Sequence, residues 1–360
     1  MSEKTSKLYQ LEKQLDDRVS DCDDPAVQDF NMKISYQLEQ NYTSRDNVVN
    51  SFIKGWTDSL KTFRLINRVR FVHDELPIFA DLSIIKQSKT TGNGKVPIKT
   101  YTIQQSDIFN SLEKYDIEME FNNKMIGIGT NYNTLKSVKD MINKVMRIVM
   151  TGIQQTNYPI SYKEQEKIKI IYMKLLHGEG FEKIEKPNIG PENFIGPNSV
   201  TLLLKHLIDS EDMKIPNIKK NYTVTDKADG ERKMLFINDE GFIYLIDTNM
   251  NIIFTGSKTT NSDRFMSLMD GEHIKFDKNN KAINLYAAFD LYFINKKSIR
   301  EYPFTYSDGD ELLEKKPKYR LKLLNDFVKE LDPKNILNSE LPCNMNIVVK
   351  KFCSTAKGKT

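Results

Sequence analysis

The chain has 360 residues, 39% hydrophobic and 28% charged, enough for two domains with cores of their own. No run of 18 apolar residues occurs, which excludes a helical membrane span, and MSEKTSKLYQ has no apolar stretch of the kind a secretory signal needs. A net charge of +4 is too mild to announce a nucleic-acid binder, so any such surface must be local. Three widely spaced cysteines (Cys22, Cys343, Cys353) and four scattered histidines argue against a zinc site or a disulfide framework and fit a reducing cytoplasm.

Residues 1–122 read as short strands and loops. A first strand is predicted around 32–39. In the next, Phe63–Phe71, alternation puts Arg64, Arg68 and Arg70 on one face, a poor arrangement for an ordinary exposed sheet and a good one for a polyphosphate. Phe79–Gln87 is another strand, with Lys86 near its end, and Thr90–Lys95 is a hairpin or loop. In the strand at 115–122, Glu118 and Glu120 share a face while Ile117, Met119 and Phe121 take the other. Paired carboxylates repel unless a cation sits between them, and hard oxygen ligands suit Mg²⁺ or Mn²⁺. The ordinary alternative is an amphipathic strand with a solvated acidic face.

Helices are predicted over 133–156, where Leu135, Val138, Ile142 and Val145 recur at three- and four-residue steps, and over Ser161–Leu176. Ser161 is the expected N-cap of the second, with Glu164 as its capping-box partner. Three prolines and two glycines mark Glu185–Pro197 as a connector. Phe194-Ile195-Gly196-Pro197 then reads as a turn into a helix at 200–207. Strands are predicted over 222–226, 232–237, 242–247, 251–255 and 285–293, and an amphipathic helix over 318–331. Val349-Lys350-Lys351-Phe352, with Lys357 and Lys359 beyond, offers a local basic patch for RNA, with a solvated end as the ordinary reading.

Three motifs carry the chemistry. Lys227-Ala228-Asp229-Gly230 precedes Arg232 in the run YTVTDKADGERKMLF. An amine attacks phosphorus only when unprotonated, which takes desolvation or neighbouring cations. Tyr222, Val224 and the apolar run after Arg232 are expected to hold the motif between two buried strands. Gly230 allows a tight backbone approach, and Arg232 offers a fork of donors. By itself K-x-D-G is more often a hairpin turn with an exposed lysine. Leu268-Met269-Asp270-Gly271-Glu272 and Leu285–Leu291, with Phe289-Asp290, follow as apolar strands that carry carboxylates.

The order and spacing of these motifs resemble the nucleotidyltransferase superfamily of mRNA guanylyltransferases and polynucleotide ligases. The resemblance implies that Lys227 takes up the nucleotide as a phosphoramidate. Asp229, Gly230 and Arg232 would position it, Glu272 would contact ribose or a metal, and Asp290 would help hold a divalent ion. The upstream strands resemble the tunnel-fold, metal-dependent RNA 5′-triphosphatases. There Glu118 and Glu120 would bind Mg²⁺ or Mn²⁺, and Arg64, Arg68, Arg70 and Lys86 the triphosphate.

The combination is most similar to the capping enzymes of large DNA viruses. It implies an α+β chain: an antiparallel β-barrel over 1–157, a helical connector over 158–221, and an ATP-grasp-like mixed antiparallel sheet over 222–360. The expected substrates are GTP and RNA 5′-triphosphate ends, with a methyltransferase domain or subunit and a viral RNA polymerase as partners. No membrane is involved, and the setting is cytoplasmic, in a viral factory or virion. The resemblance also implies an internal piece of a longer enzyme. Two alternatives stay open: an ATP-dependent polynucleotide ligase with an unrelated β-rich arm, and a non-catalytic capping-enzyme fragment. The upstream barrel favours capping.

Overall fold

The computed structural model describes residues 30, 32, 42–91, 96–178, 181, 188–209, 215–219, 222–305, 318–338, 340 and 343–354. The strand predicted around 32–39 (apart from Met32), Cys22, the loop tip 92–95, and Lys357 and Lys359 lie outside them. The chain divides into two compact units, Ile34–Ile148 and the portion from Val149 onward.

The first unit holds helix α1 (Asn47–Lys54) and strands β1 (Arg64–Val72), β2 (Ile78–Gln87) and β3 (Lys114–Phe121), paired antiparallel in that order. Arg70 pairs with Asp81, and Asp81 with Glu118; Arg68 pairs with Ser83, and Phe79 with Glu120. Partners in register share a face, so one face is polar and carries the arginines and carboxylates. The opposite face carries Leu65, Val69, Phe71, Leu82, Ile84, Ile117 and Phe121, all exposed. Among the described residues this is an open three-stranded sheet; the expected closed barrel is not present in them. Helix α2 (Leu135–Gln154) forms where the three- and four-residue periodicity placed it.

In the second unit come helix α3 (Tyr162–His177) and strands β4 (Thr223–Val224), β5 (Glu231–Ile237), β6 (Phe242–Asp247), β7 (Ile252–Lys258), β8 (Ser267–Phe276), β9 (Ala282–Ile294) and β10 (Lys297–Ser298). Helix α4 (Arg320–Glu330) and strands β11 (Lys334–Asn335), β12 (Asn346–Val349) and β13 (Cys353–Ser354) complete it. The main sheet runs β10-β9-β8-β5-β6-β7-β11, with β12 parallel to β9, while β13 and β4 form a separate ribbon.

Both faces of this sheet are buried, which is why β5 continues as the unbroken apolar run Met234–Ile237. Met234, Phe236, Tyr244, Ile246 and Leu268 pack with Ile168 and Tyr172 of α3. Leu235, Ile243, Leu245, Met269 and Tyr286 pack on the other side with Leu324 and Phe327 of α4. Helix α3, expected in a connector, thus supplies core to the sheet. Its Tyr172 hydroxyl donates to Asn193 O (3.1 Å) and accepts from Ile195 N–H (3.4 Å), fixing the turn before Gly196.

Two local expectations change. Residues 200–207 form only a 3₁₀ turn at Leu204–His206, and 222–226 reduces to the two residues of β4, held by the ribbon alone. Ser161 does cap α3, accepting Glu164 N–H at 3.1 Å. The Glu164 carboxylate, however, accepts from the Tyr244 hydroxyl (3.2 Å), so half of the capping box forms and the other half anchors helix to sheet. Ser161→Ala should therefore cost about 1 kcal/mol in urea unfolding; an unchanged midpoint would mean the cap contributes nothing.

Candidate active site

Lys227 lies between the β4–β13 ribbon and the first residue of β5. The ribbon pairs Val224 with Cys353, and the Thr225 hydroxyl donates to Lys351 O at 2.8 Å. Lys227 and Asp229 are exposed. The expected buried flank upstream is absent, since Tyr222 is 42% and Val224 60% exposed: a two-residue strand has no sheet face to bury. The other end is fixed tightly. A Cβ on Gly230 would lie 2.8 Å from Ile274 Cγ1 and 3.1 Å from His273 O, so only glycine lets this backbone lie flat on β8. The lysine motif is thereby laid alongside Glu272, whose Cβ is 3.3 Å from the same point.

Arg232 and Glu272 are register partners on β5 and β8. Sequence reasoning gave Arg232 to the nucleotide; in the structure its fork is engaged by Asp270, with Nε at 3.1 Å and Nη2 at 2.5 Å, and Nη1 donates to Pro197 O at 2.7 Å. Its guanidinium faces the rings of Phe194 and Phe289, at 5.4 and 5.7 Å from their centroids. Asp270 is wholly buried and also accepts from the Tyr292 hydroxyl at 2.8 Å. Burial pushes its carboxyl up, and the Arg232 fork opposes the rise. Asp270-Gly271 lies mid-strand, as expected: a Cβ on Gly271 would sit 2.5 Å from the Tyr286 ring, whose hydroxyl bridges the β5 and β8 backbones.

Glu272 has one carboxylate oxygen 3.6 Å from Lys350 Nζ, while Oε2 is buried with no hydrogen-bond partner among the described residues. An orphaned acceptor in a polar site is what a ligand donor would satisfy. Lys350, read from sequence as a solvated end, is carried into the site by β12 beside β9, and its Nζ lies 5.9 Å from the Phe289 ring. The apolar run Ile347-Val348-Val349 before it signals a strand, but not the strand it pairs with.

Asp290 was expected at a metal. Instead Arg320, the first residue of α4, holds both its oxygens, at 2.8 and 3.1 Å. No sequence signal marked Arg320, because a helix-start arginine is commonplace.

A second buried cluster lies around Lys233. Its amine, 3% exposed, contacts Glu231 (2.8 Å) and His273 Nδ1 (3.3 Å), while His273 Nε2 meets Asn284 Oδ1 at 2.7 Å. Burial first, with Lys233 and Lys275 as added cations, holds the His273 imidazole below its ordinary value.

In the first unit, Arg68 reaches Asp81 (3.1 Å) and Glu118 (2.5 Å), and Arg70 reaches Asp81 and Glu120 (both 2.6 Å). Arg64 shares this face and approaches Asp116 at 3.9 Å. The Arg70 fork holds the buried Asp81 carboxyl below its ordinary range, against the opposing effect of burial. Asp81 was missed, although a lone carboxylate in the apolar run FADLSII opposite arginines was a signal. Lys86 is not brought to this face: it pairs in register with Leu65, one residue out of phase, and its amine donates to Phe109 O.

Glu118 and Glu120, expected at a metal ion, lie on this face half-exposed, each accepting from an arginine that also holds Asp81. Among the described residues no cluster of three histidine, cysteine or carboxylate groups is placed to hold an ion.

Breaking the buried pair by Asp270→Ala strands the Arg232 cation and should cost roughly 3 kcal/mol in urea unfolding. Because the folded state disfavours protonated His273, its contribution is intact above the unfolded value of about 6.5 and is lost as pH falls through the folded one. His273→Gln should flatten the drop in stability below that pH; an equally steep drop would assign it to other groups.

Residues 191–315 match the mRNA capping enzyme catalytic domain. A probable mRNA-capping enzyme of Acanthamoeba polyphaga mimivirus is 29% identical over 254 residues, which cover 65% of this chain and 19% of that relative. The chain thus spans about a fifth of the length of the curated relative it matches. The matched segment takes in the Phe194 turn, Lys227, Asp270-Gly271-Glu272 and Asp290, so it is over these residues that the chain is similar to the mRNA capping enzyme catalytic domain.

Proposed function

We propose that the second unit transfers GMP from GTP to an RNA 5′-diphosphate end through Lys227. The observation that carries this reading is the approach of Gly230 to β8, which lays the lysine motif beside Glu272, an acid with a buried oxygen that has no partner among the described residues. Arg232 and Lys350 add positive charge around the same Phe289 ring.

In the first step the unprotonated Lys227 Nζ attacks the α-phosphorus of GTP. A P–N bond forms, the bond from the α-phosphorus to the β-bridging oxygen breaks, and pyrophosphate leaves; the amine proton passes to water. In the second step a terminal oxygen of the RNA diphosphate attacks that phosphorus. The P–N bond breaks, Lys227 regains a proton, and a 5′–5′ triphosphate bridge results. Glu272 accepts a ligand hydroxyl, while Lys350 and the free N–H groups of Arg232 balance phosphate charge in both steps. Asp229, exposed beside Lys227, orients the incoming nucleotide from solvent.

The reading extends to the first unit as an RNA 5′-triphosphatase, supported by the arginine-rich face of β1 and its two glutamates. Since Glu118 and Glu120 occupy Arg68 and Arg70, a triphosphate must displace them to bind. No step through a metal ion is derived from this arrangement.

The test is covalent labelling with radiolabelled GTP or ATP in Mg²⁺ buffer, followed by denaturation. The expected result is a GMP adduct that Lys227→Ala abolishes and Glu118→Ala leaves intact. An AMP adduct would instead establish the ligase reading, and no adduct with either nucleotide would contradict transfer by this chain.

A further inference from the structure

Arg320 lies beyond the segment that matches the capping domain, yet its guanidinium is bonded to Asp290 and to the backbone of the turn after β10. Its fork holds both oxygens of Asp290, its Nη1 donates to the carbonyls of Arg300 (3.2 Å) and Tyr302, and its side chain is only 18% exposed. Its own N–H donates to Pro303 O at 3.0 Å, so the start of α4 is pinned to the turn after β10.

The carboxylate it holds sits at an irregularity. Strand β8 pairs Asp270 with Asp290 and then Gly271 with Ala288, skipping Phe289. Phe289 is therefore the extra residue of a β-bulge, and a bulge aims its side chain according to how its ends are held. One end is held by Lys350 N–H on Ala288 O (2.8 Å), the other by Arg320 on Asp290. The Phe289 ring so placed lies under the Arg232 guanidinium and the Lys350 ammonium. A second path runs the same way: the Arg320 guanidinium faces the Phe304 ring at 5.7 Å, and that ring meets Phe352 edge-on at 5.0 Å, two residues past Lys350.

We propose that Arg320 is a positioning residue for nucleotide capture, clamping Asp290 so that the Phe289 bulge sets Arg232 and Lys350 at the triphosphate. Asp290 is accordingly an anchor for the bulge. The inference rests on the guanylyltransferase reading of this site.

Lysine at 320 keeps the charge and loses the fork. Adduct formation is measured against GTP concentration for the wild type, Arg320→Lys, Phe289→Leu and the double variant, with thermal unfolding of each. Misplacing the bulge should raise the half-saturating GTP concentration roughly tenfold or more in Arg320→Lys. Phe289→Leu should raise it similarly, and the double variant should be no worse than Phe289→Leu alone, the non-additivity expected of residues acting in series.

If Arg320 serves only to hold the fold, Arg320→Lys lowers the melting temperature and leaves half-saturation unchanged, or its effect multiplies with that of Phe289→Leu; either result overturns the proposal. A wild-type chain that forms no adduct overturns the guanylyltransferase reading, and this inference with it. A wild-type adduct with an unshifted Arg320→Lys curve overturns this inference alone.

Discussion

Asp270 has no contact with water, and a carboxylate in that position must be matched or neutralised. Much of the second unit's geometry answers that demand. Arg232 on the neighbouring strand supplies the fork, Tyr292 supplies a third donor, and Pro197 O takes up the guanidinium's outer edge. Because the arginine is spent inward, its guanidinium is held against Asp270 and faces Phe194 and Phe289, and its remaining N–H groups start from a set position. A buried ion pair contributes little net stability once desolvation is counted. What it supplies here is orientation: β5 and β8 are locked in register at the point where the lysine motif enters the sheet.

The same principle recurs at Asp290 and at Asp81. Each is a carboxylate withdrawn from solvent and held by an arginine from a different element. Of the three, only Asp290 was expected at a divalent ion from the sequence; in the structure each is engaged by an arginine. Glu272 stands apart. It sits on the same strand as Asp270 and on the same face as Arg232, but among the described residues its nearest cation is 3.6 Å away and one oxygen has no partner. Charge left unsatisfied within a sheet so well satisfied elsewhere marks where a ligand is expected.

Much of this was legible from the chain alone. The helices at α2, α3 and α4 announced themselves through periodicity and, for α3, a serine cap; β5 through β9 announced themselves as apolar runs broken at turns. The lysine, D-G-E and F-D motifs fell where spacing placed them. What sequence did not show was pairing. Alternation puts Arg68 and Arg70 on one face, but only the register with β2 shows Asp81 between them and Lys86 on the other side. Residues 200–207 have the composition of a helix, yet form one 3₁₀ turn with their apolar side chains exposed. Lys350 read as a solvated end because nothing local reveals that Asn346–Val349 would run parallel to a strand sixty residues upstream. Arg320 was invisible for the same reason: its role is made by residues distant in sequence.

The central claim is that Lys227, and no other amine near Glu272, forms the bond to phosphorus. Three lysines compete on geometry: exposed Lys227, Lys350 beside the acid, and Lys233 buried behind the strand. Incubation with GTP, proteolysis under conditions that preserve a P–N bond, and mass spectrometric mapping of the modified peptide distinguish them directly. The account predicts GMP on the peptide carrying Lys227, at one equivalent per chain or less. GMP on Lys350 or Lys233, with the Lys227 peptide unmodified, would contradict it.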